Sequence, residues 1–349
     1  MGELINLYSD TQTLATEEML EAMVKAECGD DVAGTDPTVN RLQEIAAARV
    51  GQEAALFVPS GTMGNLVSLM AVGGHGNEIL VHEEAHVYYY ESGAMCSIAG
   101  FTPRLVSAPR GIMTPEILET YLRPRNVHHP RTAALALENT HNRGGGSVTS
   151  PALHRRLVDW AHERGLHVHL DGARVFNAAV AAGVDVKTYT ANVDSVMFCL
   201  SKGLSAPVGS IVAGRAEFIE RARFARKRVG GAMRQAGHMA AAGIVALEKM
   251  VDRLAEDHAN ARRLAELAAK IPGLAVDLAS VETNMVYVDM ADLGVPLEKF
   301  LAELQARGVR VSAIPPTRFR MVTHRHISAR DVEAAARALA ETARALGRE

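Results

Sequence analysis

An α/β fold is predicted, with a mostly parallel sheet covered on both faces and a smaller α+β unit toward the C-terminus. Two observations carry that prediction. Short apolar runs alternate with helical spacing from about residue 54 to residue 200, and beyond Pro272 the texture changes to short strands between helices. Composition agrees, since 48% of the 349 residues are hydrophobic and 22% are charged, the balance of an ordinary globular chain.

The elements follow in order. "AALFV" (54–58) is strand-like, and "TMGNLVSLMAV" (62–72) has helical spacing. "EILVH" (78–82) and "TAALALE" (132–138) are strand-like again. A helix starts at Ser150-Pro151, where serine can cap and proline suits the first turn, and stops near Arg164-Gly165. "LHVHLD" (166–171) and "SVMFCL" (195–200) are further strands, separated by a short Ala-rich helix. Residues 234–269 then read as one long Ala-rich helix, straight or kinked, and "TNMVYVDM", a helix, "VRVSAI", "RFRMVTH" and a last helix at 328–346 complete the chain. A large domain is therefore expected over 1–245 and a small one over 246–349, with the boundary inside that long helix.

Charge excludes some function classes. Thirty-seven Lys and Arg are interspersed with forty Asp and Glu, for a formal net charge of −3, so nothing argues for nucleic acid or a membrane surface as partner. The three cysteines, Cys28, Cys96 and Cys199, lie far apart and support neither a disulfide framework nor a zinc ribbon. The N-terminal stretch lacks the apolar core of a signal peptide, and no segment approaches the roughly 18 unbroken apolar residues of a membrane span, so a cytoplasmic protein is expected.

Four pieces could carry chemistry. Lys202 follows a buried strand, at the sheet edge where open α/β sheets bind ligands, and a partly desolvated amine there can act as a nucleophile. A loop lysine is the alternative. Asp171 also ends a strand, and its permanent partner could be Arg174 or the protonated ring nitrogen of a cofactor. "PSGTMGN" (59–65) places Gly61 and Thr62 at a helix N-terminus, a phosphate-binding arrangement or simply a capped turn. It is not a nucleoside-triphosphate loop, and no Gly-x-Gly-x-x-Gly follows a strand. Together with the parallel sheet these are the parts pyridoxal phosphate requires. His86 could stack on the pyridine ring, His141 could form a polar pocket wall, and Arg320 could clamp a carboxylate bidentately or lie on the surface. A metal-binding rival exists in His167, His169 and Asp171, which alternate along one strand, but burial on both faces argues against it and no metal is expected.

The motifs "SDTQTLATEEML", "GDDVAGTDPTVNRL", "ALFVPSGTMGN", "ENTHNRGGG", "HVHLDGARVFNA" and "DSVMFCLSKGL" run in order, and over about residues 5–345 the chain closely resembles the low-specificity L-threonine aldolases. That resemblance implies an aspartate-aminotransferase-like (fold type I) architecture, pyridoxal 5'-phosphate, and retro-aldol cleavage of L-3-hydroxy-α-amino acids to glycine and an aldehyde. It implies that Lys202 bonds the cofactor aldehyde, Asp171 faces the ring nitrogen, and Gly61 and Thr62 hold the phosphate. Arg174 then contacts a cofactor oxygen or the substrate carboxylate, His86 stacks on the ring, and His141 lies near the substrate hydroxyl. Ser9 and Arg320 look like carboxylate binders, and Lys227 and Arg234 like contributors from a neighbouring subunit of a homotetramer, a dimer of dimers. The catalytic base stays open among His86, His141 and a water. Two departures stand out: Ala33 occupies the place of a usual tyrosine, which puts strict threonine preference in doubt, and Tyr8 that of a frequent arginine. Rival readings are β-elimination or transamination on the same scaffold, or a cofactor-binding protein without activity, against which the intact lysine, aspartate and arginines speak.

Overall fold

The computed structural model describes residues 4–347. Seven strands form the large sheet: β1 (Ala54–Val58), β2 (Asn77–His82), β3 (Thr102–Val106), β4 (Arg131–Glu138), β5 (His167–Asp171), β6 (Ser195–Cys199) and β7 (Ser210–Gly214), in the order β1-β7-β6-β5-β4-β2-β3. Only β7 runs against its neighbours; the other six point one way. The central strands are apolar without alternation because helices cover both faces, and every residue of β6 is buried. The crossover helices begin where expected. Ser60 accepts from the Met63 N–H to open Gly61–Val72, and Ser150, followed by Pro151, accepts from the Leu153 N–H to open Pro151–Glu163.

The stretch 234–269 is not one helix. It forms Gly237–Lys249 and Leu254–Ala268, broken at residues 250–253. The first packs on the helices Glu17–Lys25 and Pro37–Val50, the second on the C-terminal helix Ala329–Leu346 and on the strand Met285–Asp289. Each half thus serves a different core, which is why the axis must change. The second core gathers Leu264, Phe300, Phe319 and Leu339 around an antiparallel sheet of β8 (Met285–Asp289), β9 (Ser312–Ile314) and β10 (Arg318–Val322). Leu7 joins that core too, and the two-residue strand Ile5–Asn6 pairs in parallel with Val309–Arg310. The N-terminus is therefore sewn to the C-terminal layer and returns across the large sheet.

This wiring positions the site. The carboxyl ends of β1, β2, β4, β5 and β6 lie on one edge, and the loops holding Pro59–Ser60, Glu83–Ala85, Asn139–His141, Gly172–Arg174 and Ser201–Lys202 leave from it. Among the described residues, no helix is long and apolar enough to cross a membrane.

Candidate active site

At that edge a cleft of about 280 Å³ is lined by Gly61, Thr62, His86, Asp171, Lys202 and, from the N-terminal segment, Thr11 and Thr13. Lys202 is held by its backbone: its carbonyl accepts from Thr13 Oγ1 and from the Ser205 N–H, both at 2.9 Å. Its half-buried side chain makes no hydrogen bond or ion pair with another described residue. The amine is free for a ligand.

The helix start beside it is pressed against β6. A Cβ on Gly61 would come within 2.8 Å of Cys199 Sγ, so only glycine allows this approach. Ser60 satisfies the Met63 N–H, leaving the N–H groups of Gly61 and Thr62 without intrahelical acceptors at the positive end of the helix.

Asp171, 1% exposed, accepts from the Ala173 N–H at 3.1 Å through Oδ1 and from Asn65 Nδ2 at 2.8 Å through Oδ2. The second hydrogen of the same amide goes to Glu91 Oε1, also at 2.8 Å. Because Asn65 turns its nitrogen to two carboxylates, its oxygen accepts, and His169 Nε2 must be the donor to it at 3.0 Å. His169 Nδ1 then accepts from Ser195 Oγ (2.9 Å), which in turn accepts from His167 Nε2 (2.8 Å). Burial pushes both His167 and His169 down to about 4, so this line of donors is neutral and points at the carboxylates. The three side chains of the His-x-His-x-Asp pattern do share a face, but His167 Nε2 and both nitrogens of His169 are spent on Ser195 and Asn65. His86, Glu91 and Asp171 bring one polar side-chain atom each to within 4.8 Å of one another, and Asn65 and the His86–Glu91 bond tie them together.

His86 is anchored twice. Its backbone N–H donates to Glu138 Oε2 at 2.6 Å, and its Nδ1 meets Glu91 Oε1 at 2.9 Å. Burial opposes its protonation, but the Glu91 hydrogen bond and the charge of Asp171 prevail and hold its pKa above the ordinary value. Burial and the charge of Asp171 raise Glu91 as well.

The remaining expected residues sit differently. Arg174 does not line the cleft; its Nε and Nη2 close on Asp10 at 2.7 and 2.6 Å, leaving Nη1 and the second Nη2 hydrogen for a substrate or cofactor oxygen. Asp10 also accepts from Asn284 Nδ2 at 3.2 Å. Burial opposes its charge, but Arg174 and then Lys202 outweigh that and hold the carboxyl well below the usual carboxylate range. His141, expected as a pocket wall, is instead 1% exposed and sealed under Gly111, whose Cβ position falls 2.2 Å from the imidazole. Its Nε2 has no hydrogen bond and lies 3.8 Å from Glu138 Oε2. Ser9 is buried and accepts from Thr11 Oγ1 at 2.9 Å. Arg320 donates from Nη1 to Asn142 Oδ1 at 2.9 Å, and its buried Nε has no partner. Lys227 is exposed, and Arg234 pairs with Asp30 at 2.7 Å; neither reaches this cleft. Tyr8 lies under the Arg310 guanidinium at 4.7 Å, and Ala33 sits exposed in a turn. Sequence reasoning missed Asp10, Asn65 and Glu91, although Asp10 stands in the quoted "SDT" and Asn65 in "SGTMGN".

The donor set fits pyridoxal phosphate: free N–H groups and a hydroxyl at a helix start for the phosphate, a buried carboxylate for the ring nitrogen, and an unpaired amine for the aldehyde. Comparison with known proteins agrees. The model of the beta-eliminating lyase family matches residues 6–291. Low-specificity L-threonine aldolase 1 of Arabidopsis thaliana is 42% identical over 94% of this chain and 93% of its own length. The low specificity L-threonine aldolase of Escherichia coli K12 is also 42% identical, over 93% of this chain and 95% of its own. Among solved structures, the Leishmania major threonine aldolase superposes with a TM-score of 0.83 at 16% identity, covering 97% of this chain and 99% of that one. The Rhizobium meliloti aspartate aminotransferase does so with 0.69 at 17% identity, covering 99% and 92%, and so shares the fold. The chain belongs to the beta-eliminating lyase family.

Proposed function

We propose that the chain is a pyridoxal-phosphate-dependent aldehyde-lyase that splits L-threonine, L-allo-threonine and related L-3-hydroxy-α-amino acids into glycine and an aldehyde. The observation that carries this reading is the unpaired Lys202 amine in one cleft with Asp171, His86 and the helix start at Gly61. The curated relatives at 42% identity supply the substrate class.

When bound, pyridoxal phosphate supplies an electron-accepting ring conjugated with the substrate α-carbon, the chemistry that breaking a Cα–Cβ bond needs. The chain's residues do the rest. Lys202 is the amine partner of the cofactor aldehyde. Asp171, which accepts N–H donors from Ala173 and Asn65, would face the ring nitrogen. Gly61 and Thr62 bind the phosphate. Ser9, the unpaired Nε of Arg320 and the remaining N–H groups of Arg174 serve the substrate carboxylate, which sets the angle of the scissile bond. The β-hydroxyl gives up its proton as the aldehyde forms, and Cα regains one to become glycine. Of the two histidines, only His86 lines the cleft, so it or a water it holds takes that proton.

Assembly as a homotetramer in the cytoplasm belongs to the same reading. The exposed Lys227 and Arg234, and Phe224 at 72% exposure, are supports for a surface that a neighbouring copy covers. The test of the activity is Lys202→Ala: the folded, cofactor-supplied variant should release no aldehyde from L-threonine, and turnover at the parent rate would refute the assignment.

A further inference from the structure

Glu91 has no part in the scheme above, yet its side chain is 2% exposed and sits at the centre of the buried polar network. Both bonds it accepts converge on one oxygen: Asn65 Nδ2 at 2.8 Å and His86 Nδ1 at 2.9 Å both meet Oε1. Asn65 divides its two amide hydrogens between Glu91 and Asp171, so the two carboxylates are tied by a single rigid group. Two buried anions this close are costly to ionise together unless cations face both. For Asp171 that cation is the ring-nitrogen proton, on the reading proposed above. For Glu91 the basic group in contact, among the described residues, is His86.

We propose that Glu91 is a positioning residue for His86: it fixes the imidazole with Nδ1–H turned to its own carboxylate, and its negative charge holds a proton at Nδ1 so that Nε2 is the nitrogen left to accept one. A charge-assisted bond of this kind is stronger and shorter than a neutral one, and it selects the tautomer at the same time. The consequence is an Nε2 whose state is set by the carboxylate bonded to the other ring nitrogen. Asn65 carries the coupling, since any change of charge on Glu91 is felt by Asp171 through the shared amide. Among the other described groups facing His86, Asp171 adds its negative charge but makes no hydrogen bond to the ring. Glu138 holds its backbone N–H, Tyr90 packs at 5.4 Å between ring centroids, Lys202 opposes protonation, and Asp171 favours it.

Glu91→Gln separates charge from shape. A glutamine oxygen can accept both bonds now made to Oε1, so the fold and the ring position are kept and only the charge is lost. In the full-length, cofactor-loaded protein the acidic limb of the kcat/KM pH profile should move to lower pH in this variant. In the cofactor-free protein the His86 imidazole, followed by nitrogen-15 histidine labelling, should titrate at lower pH than in the parent, with the Nδ1–H tautomer less populated. Glu91→Ala, which removes the acceptor as well, should also weaken cofactor retention. An unchanged His86 titration and an unchanged pH profile in a folded Glu91→Gln protein would overturn the proposal. The binding of inactive cofactor analogues keeps the outcomes distinct: if no variant, nor the parent, binds pyridoxal phosphate, the functional reading fails, whereas the His86 titration in the cofactor-free chain still decides the role of Glu91.

Discussion

Asp10 is a place where a small chemical change should have a large effect. Its carboxylate is fully buried and receives the bidentate fork of Arg174 at 2.6 and 2.7 Å, with 6% of the arginine side chain exposed. Asp10→Asn keeps the volume and removes the charge. Arg174 is then a buried cation without its anion, and breaking such a pair costs about 3–5 kcal/mol. Urea unfolding of the cofactor-loaded chain at neutral pH, compared with the parent, reads this directly. The pH dependence gives a second signature. The folded pKa of Asp10 is depressed below the 3.8 of the unfolded chain, so its stabilisation is fully present above that value and is lost as pH falls toward the folded pKa. The deficit of the variant should therefore hold constant at neutral pH and shrink only below about pH 3.8. Asp10→Asn combined with Arg174→Met should recover part of the loss, because no unpaired charge remains. A loss under about 1 kcal/mol, the usual worth of an exposed pair, would show that the fork is not closed as described.

Two further perturbations probe other parts of the molecule. Gly61→Ala drives a Cβ to within 2.8 Å of Cys199 Sγ, and overpacking of about 1–3 kcal/mol should weaken pyridoxal phosphate binding by about fivefold to a hundredfold in a cofactor titration. Adding Cys199→Ala should restore much of it, and parent-like affinity in the single variant would contradict the close approach. His154, buried against Tyr189 with its Nε2 unpartnered, is pushed down to about 4 by burial. Between its unfolded value of 6.5 and about 4 the unfolded chain carries the extra proton, so the parent loses stability as pH falls through this window. His154→Leu should flatten that slope by about 1.4 kcal/mol per pH unit, measured by urea unfolding across the window.

Much of this was legible in the sequence where the signal is local. The apolar runs of β1, β4, β5 and β6 and the serine caps of their helices stand at their expected places, and so do Lys202 and Asp171 at strand ends. β3 escaped notice because "TPRLV" carries a proline and an arginine, which an edge strand tolerates and a central one does not. β7, "SIVAG", is antiparallel and short and merges with the glycine- and serine-containing loop before it. The break at 250–253 has no glycine or proline to announce it; the two cores on either side impose it. At the site the omissions are long-range. Asp10 meets Arg174 across 164 positions and Asn65 meets Asp171 across 106, so no spacing rule reveals either pair. The burial of His141 depends on Gly111, thirty residues earlier in the chain, which no local pattern reveals.

The most direct measurement is the release of acetaldehyde and glycine from L-threonine by the purified, cofactor-loaded protein. Equal amounts of the two products, formed by the parent and not by Lys202→Ala, are the expected result. A protein that binds pyridoxal phosphate yet forms neither product from L-threonine or L-allo-threonine would contradict the assignment of the cleft to carbon–carbon cleavage of these substrates.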